Sequence, residues 1–286
     1  MNTHHISVII STYKGEQPQY LDRALCSIWD DQKRKPDEIV LVEDGPLTKE
    51  LCAVVDSWRE RLGCKLLVIE KPVNEGLAAA LNDAIQAARG DLIARMDSDD
   101  ISLPDRFMLQ EQYLDGHPEV DILGGAIREF NDEGTLSAVQ HYPATMPDVL
   151  RTMYKASPLA HPTVMYRASF FKAGYRYSSK YHICEDVTMW YDAAAGGRVI
   201  NNVQDVLLEF RRNPSVMRRR SREKAWSEFL AYNDGISRLY GTFSYKYIYS
   251  FMRMCFRLMP ASLVSFIYDS KLRRIFTRRP PAPRGN

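Results

Sequence analysis

The sequence predicts an α/β fold with a mostly parallel central sheet and flanking helices. Short β-branched apolar runs alternate with helix-period segments over the first hundred residues, the pattern of successive βαβ units. Three of these runs end in polar or acidic residues, Ser11-Thr12-Tyr13, Glu43-Asp44-Gly45 and Asp97-Ser98-Asp99, and open parallel sheets bind ligands beyond the carboxyl ends of their strands. At 286 residues the chain is long enough to bury a substantial core.

Taken in order, strands are expected at 6–11, 38–42, 65–69 and 92–96, with helices near 20–29, 49–62 and 77–88. In the third helix Leu77, Leu81, Ala84, Ile85 and Ala88 share one stripe, and Gly90 supplies a stop. Pro104-Asp105-Arg106 reads as the start of a helix near 105–114. Alternation over 121–130, a turn at Asn131-Asp132-Glu133-Gly134 and a stretch ending at Arg167 predict antiparallel strands or hairpins. Glu185-Asp186 opens a helix through Ala195, where carboxylates suit the positive end of a helix and Gly196-Gly197 provides the stop.

From about residue 223 the helical period returns. Over 245–259, Ile248, Phe251, Met252, Cys255, Phe256 and Met259 form one stripe with Lys246, Arg253 and Arg257 set off it. Beyond Pro260, Leu263, Val264, Ile267, Ile275 and Phe276 are interleaved with Lys271, Arg273 and Arg274. Basic amphipathic helices of this kind suit an anionic membrane surface. For the first of them, packing on the main body with a solvated charged face is an equal alternative.

The net charge of +2 conceals an uneven distribution: residues 211–286 hold 17 basic and 4 acidic side chains, a surplus of 13, leaving 21 basic against 32 acidic in residues 1–210. An acidic body and a basic tail imply two different partners. Hydrophobic residues at 45% and charged residues at 26% are ordinary for a globular protein. Cys26, Cys52, Cys64, Cys184 and Cys255 form neither a metal-type spacing nor a disulfide framework, which fits a reducing compartment. The opening apolar run is too short for a signal peptide, and the longest late uncharged stretch falls well short of the ~20 residues that span a bilayer. A cytoplasmic protein, peripheral on the inner face of the cell membrane, is expected, with no nucleic-acid partner.

The run Leu92-Ile93-Ala94-Arg95-Met96-Asp97-Ser98-Asp99-Asp100 ends an apolar strand in clustered carboxylates. Such groups repel one another unless a cation sits between them, and a hard oxygen-preferring ion such as Mg2+ or Mn2+ does so while leaving positions open for phosphates. An acidic turn before the next helix is the plainer alternative. Other routes to phosphate or catalysis are excluded by spacing: the sequence has no Gly-x-Gly-x-x-Gly after a strand, no P-loop, no His-Glu-x-x-His and no Gly-x-Ser-x-Gly.

Five motifs in order over about residues 5–215 resemble the family 2 inverting glycosyltransferases with the GT-A fold, particularly bacterial members that build O-antigen and exopolysaccharide. Ser7-Val8-Ile9-Ile10-Ser11-Thr12-Tyr13-Lys14 is similar to the opening strand and nucleotide loop, and Val42-Glu43-Asp44-Gly45 to the second acidic motif. The helix-opening motif beside the donor is matched by Asn74-Glu75-Gly76-Leu77, the metal motif by Asp97-Ser98-Asp99-Asp100, and the base motif by Glu185-Asp186 with Trp190. The resemblance implies a GT-A, Rossmann-like sheet with a catalytic domain over 1–215, a nucleotide half at about 1–103 and an acceptor half at about 104–215. Residues 216–286 would then be a basic helical membrane-associating region.

It also implies roles. Thr12, Tyr13, Asp44, Asn74, Gly76, Asp97 and Ser98 would line the nucleotide-sugar site, with Tyr13 stacked on uracil and Asp44 accepting from its imide N–H. Asp99 would ligate Mn2+ or Mg2+, with Asp97 assisting or holding the ribose. Asp186 would be the general base, kept ionised at neutral pH by its helix N-terminus. His161, Glu185, Trp190, Arg211 and Asn213 are accessory or acceptor candidates; His161 could equally satisfy a loop backbone. Asn213 stands where such members often carry a histidine, so Arg211 or Arg212 is an alternative contact to the diphosphate.

The expected reaction moves a hexose, galactose or glucose before N-acetylated hexoses, from a UDP-sugar to a polyprenyl-diphosphate-linked saccharide with a β-linked product. The alternatives are a sugar-1-phosphate nucleotidyltransferase, whose Gly-rich loop the first strand lacks, and a non-catalytic sugar-nucleotide-binding scaffold, against which the retained acidic pairs argue.

Overall fold

The computed structural model describes residues 4–131, 133–181, 184–212 and 222–259. Its centre is a nine-stranded sheet in the order β3-β2-β1-β4-β8-β6-β9-β5, with β7 on β6. The first half comprises β1 (Ile6–Thr12), α1 (Pro18–Trp29), β2 (Glu38–Glu43), α2 (Lys49–Leu62), β3 (Leu66–Glu70), α3 (Leu77–Ala87) and β4 (Leu92–Met96). These four strands pair in parallel. Their apolar runs follow from burial on both faces: along β1, Ile6, Val8 and Ile10 enter one core cluster while Ile9 enters the other. Helices α1 and α2 cover the first face, and α3 the second.

Beyond β4 the sheet is mixed. The remaining strands are β5 (Ile101–Ser102), β6 (Val120–Phe130), β7 (Leu136–Gln140), β8 (Met165–Arg167) and β9 (Val199–Arg211). The expected hairpin is β6–β7, and β8 runs antiparallel to both β4 and β6. Strand β6 also pairs in parallel with β9, which local alternation could not disclose because the partner lies some 80 residues away. Helices α4 (Arg106–Gly116), α5 (Met146–Thr152), α6 (Ala168–Lys172) and α7 (Glu185–Ala195) fill the intervals. The stop expected at Gly90 lies beyond α3, and this glycine serves close packing instead: a Cβ there would meet the His5 carbonyl at 2.6 Å.

Two further helices, α8 (Arg222–Tyr240) and α9 (Tyr247–Leu258), form a pair in which α8 packs on α7 and α9 on α8. The expected solvated charged face is not found on α9. Arg253 and Arg257 turn inward to the buried Glu228 of α8, and Lys246 lies within 5.0 Å of the ring centroids of Tyr154, Tyr240 and Tyr245. The apolar residues Ile248, Phe251 and Met252 face outward instead. The basic residues from 260 onward lie outside the described residues. No described helix is long and apolar enough to cross a membrane, and all five cysteines are free.

Candidate active site

Parallel pairing in register brings the carboxyl ends of β1, β2 and β4 together: Thr12 sits beside Glu43, and Ile10 beside Met96. The expected nucleotide and metal residues therefore share one edge of the sheet. Thr12 is buried and its hydroxyl has no partner among the described residues. Tyr13 is exposed at the rim, with its ring folded over Gly15.

Asp44 is already engaged. Its two carboxylate oxygens accept from the backbone N–H of Glu75 (2.8 Å) and Gly76 (2.9 Å), while Asn74 Nδ2 donates to the Asp44 carbonyl. These bonds hold the Glu75–Gly76 turn that leads into α3, close to a helix N-terminus where an anion is favoured. Gly76 at φ +91° makes the turn, and a Cβ on Gly45 would strike Asn74 N at 2.7 Å. A carboxylate has about four lone-pair sites, so Asp44 can still accept one further donor.

At the end of β4, oxygens of Asp97, Asp99 and Asp100 lie within 4.8 Å of one another. Asp97 is held two-pronged by Arg95, whose Nη1 donates to Oδ2 at 2.5 Å and whose Nη2 donates to Oδ1. Arg95 is buried in an otherwise apolar strand, and behind it the buried Arg106 donates to the Arg95 carbonyl at 2.6 Å. Burial and the nearby Arg95 push the Arg106 guanidinium down to about 9. Asp100 accepts from Arg211 N through Oδ1, while its buried Oδ2 has no partner among the described residues. Burial and the charges of Asp97 and Glu16 push Asp99 up to about 7, and burial and the same cluster raise Asp100 well above the usual carboxylate range.

An orphaned buried carboxylate oxygen beside a carboxyl held up by its neighbours fits a hard divalent cation. The fit centres on Asp99 and Asp100, because the oxygens of Asp97 are largely committed to Arg95. Ser98 donates its hydroxyl to Glu16 Oε2 at 2.6 Å. Arg211 lies over Tyr20 at 3.8 Å and Phe130 at 4.5 Å and donates to the Asp99 carbonyl. Its guanidinium thus braces the acidic loop. Arg212 is exposed near Glu129, and Asn213 lies outside the described residues.

Asp186 occupies the first turn of α7, half-buried, with Oδ1 accepting from Val187 N at 2.7 Å. The bond at the helix N-terminus favours the ionised form but is opposed. Burial, reinforced by Glu185, outweighs that bond and pushes Asp186 up to about 7. The nearby charge of Arg95 acts in the opposite sense, so this one guanidinium acts on both Asp97 and Asp186.

His161 opens a short 3-10 turn, and its Nε2 lies 2.8 Å from the Tyr177 hydroxyl, which in turn lies 2.7 Å from that of Tyr166. Burial and Arg95 hold the imidazole well below its ordinary value, so it is neutral. Of the accessory or acceptor candidates, Trp190 is fully buried, edge-on to His161 and stacked on Tyr166, and supports the site from beneath. Sequence reading missed Glu16, Arg95 and Tyr177, and left Asp100 without a role. A charged residue inside an apolar strand was the one available signal for Arg95.

A strand edge bearing an acidic cluster, with a separate raised carboxylate on a helix, is the arrangement of a GT-A glycosyltransferase. Solved structures of that fold agree: S. aureus TarS residues 1–349 in complex with UDP-GlcNAc superposes with TM-score 0.64 at 22% identity, covering 94% of this chain and 77% of that one. The mannosyltransferase PcManGT from Pyrobaculum calidifontis, in complex with GDP-Man and Mn2+, gives 0.64 at 14% identity over 96% and 81%. The profile of glycosyl transferase family 2 matches residues 7–179. The amylovoran biosynthesis glycosyltransferase AmsE of Erwinia amylovora is 33% identical over 92% of this chain and 97% of its own length. The UDP-Gal:alpha-D-GlcNAc-diphosphoundecaprenol beta-1,3-galactosyltransferase of Escherichia coli is 32% identical over 96% and 98%. The chain belongs to glycosyl transferase family 2.

Proposed function

We propose that the chain transfers a hexose, galactose or glucose, from a UDP-sugar to a polyprenyl-diphosphate-linked saccharide in bacterial O-antigen or exopolysaccharide assembly, with inversion to a β-linkage. The observation that carries this reading is the pair of carboxylate environments: the Asp97, Asp99 and Asp100 cluster at the strand edge, and Asp186 apart from it on α7, with Arg95 acting on both. Two acidic sites tuned separately divide the work of leaving group and base. The names of the E. coli and E. amylovora relatives support the substrate class and the polymer.

Asp186 takes the proton from the acceptor hydroxyl as its oxygen attacks the anomeric carbon. The bond from that carbon to the diphosphate breaks on the opposite side, and UDP departs. Asp99 and Asp100, with Asp97 beside them, would hold Mn2+ or Mg2+, which offsets the charge on the departing diphosphate. Thr12, Asp44, Asn74 and Gly76 form the nucleotide wall, with Tyr13 free to stack on uracil and Asp44 offering its remaining lone pair to the imide. Glu185 tunes Asp186, and the neutral His161 with Tyr177 shapes the floor of the site. The enzyme works on the cytoplasmic face of the membrane, where the lipid-linked acceptor is presented.

A screen of nucleotide sugars against lipid-linked acceptors, followed by linkage analysis, tests the reading. Transfer from a UDP-hexose with inversion supports it. Diphosphate release from a nucleoside triphosphate, or UDP binding with no turnover of any donor, would sink it.

A further inference from the structure

Helix α9 turns its arginines toward α8 and its apolar side chains outward. On α9 Ile248, Phe251 and Met252 are 60%, 54% and 50% exposed, and Trp226 on α8 is 54% exposed, while Lys246, Arg253 and Arg257 are withdrawn onto tyrosine rings and Glu228. An outward apolar face stripped of its own charges marks a contact surface rather than a solvated one.

We propose that this face lies in the boundary between headgroups and acyl chains of a bilayer, with α9 parallel to the surface and held by apolar insertion. The inference rests on the lipid-linked acceptor reading. A twelve-residue helix is about 18 Å long, short of the roughly 30 Å hydrocarbon core, so it lies on the membrane and does not cross it.

The sequence that follows favours lipid over a second copy of the chain. Residues 260–286 carry six basic side chains and one acidic one, a surplus of five. That charge is attracted to anionic headgroups and repels its counterpart in a symmetric pair. The placement also suits the chemistry: α9 packs on α8, α8 on α7, and α7 carries Asp186, so the base stands two helices from the lipid.

Flotation of the full chain with phosphatidylcholine vesicles, neutral or supplemented with an anionic lipid, at low and high salt, tests the proposal. The wild type should float with neutral vesicles and resist salt, and Ile248→Ser/Phe251→Ser/Met252→Ser should lower that binding by about tenfold or more. Phe251→Trp should be quenched by brominated acyl chains beyond the wild-type tryptophan background. Release of the wild type by salt, unchanged flotation of the triple variant, or a wild-type dimer that the triple variant dissolves would each overturn it. Transfer to a short water-soluble acceptor should be unaffected by the triple variant. If no UDP-sugar is transferred at all, the enzymatic reading fails while the flotation result stands by itself.

Discussion

The guanidinium of Arg95 grips both oxygens of Asp97 from within the buried strand β4, so the first carboxylate of the Asp97-Ser98-Asp99 motif is anchored to the core. Asp99, two residues on, has no such two-pronged contact among the described residues and is pushed up to about 7 by burial and the charges of Asp97 and Glu16. The two aspartates of one short motif thus differ in what holds them.

Their variants should separate. Asp97→Ala strands a buried guanidinium and should cost about 3 kcal/mol of stability. Arg95→Met/Asp97→Asn, which removes the charge on both sides, should recover much of that loss. Urea unfolding measures it, and equal stability of Asp97→Ala and wild type would refute the anchoring role.

Asp99→Ala should leave stability intact, since it relieves a crowded carboxyl, yet abolish transfer. EDTA should do the same to the wild type, with Mn2+ or Mg2+ restoring only the wild type. Full activity in strong chelator removes the metal from the proposal.

Asp186→Asn should bind UDP-sugar almost normally and lose roughly two to four orders of magnitude in turnover. In the wild type kcat/KM should fall as pH drops below about 7, where the base becomes protonated. The groups facing it are Glu185 and Cys184 on its own segment, Arg95 on β4, Tyr166 and Tyr177, and Tyr232 on α8.

Stability carries the opposite sign. The folded value near 7 exceeds the unfolded value of about 3.9, so the native state holds the extra proton between them and loses stability as pH rises through that window. Asp186→Asn should therefore melt higher than wild type at pH about 8. An activity loss seen chiefly as weakened donor binding would move Asp186 to the nucleotide site.

Asp44→Ala removes the carboxylate that holds the Glu75–Gly76 turn before α3 and should cost about 1–2 kcal/mol, alongside weaker UDP binding by calorimetry. Unchanged stability would show that these two bonds contribute nothing.

The alternating strands and helices of the first hundred residues were legible because β1, β2 and β4 are buried on both faces and the helices between them carry apolar stripes. Thr12, Asp44, Asp99 and Asp186 were picked out by resemblance to family motifs, and they fall at or just beyond the carboxyl ends of β1, β2 and β4 and at the start of α7. Pairing of β6 with β9 was not, because it depends on contacts between distant segments.

What the sequence by itself determined is the α/β order, the acidic edge and the family. Tertiary structure alone decided that Arg95 holds Asp97, that Asp186 sits near 7, that Trp190 is buried beneath the site, and that α9 shows its apolar face outward. Each of these depends on which groups exclude water from one another. Residue spacing fixes which side chains share a face, but the sign of a charge's environment and the direction a helix faces are set by neighbours that only folding brings together.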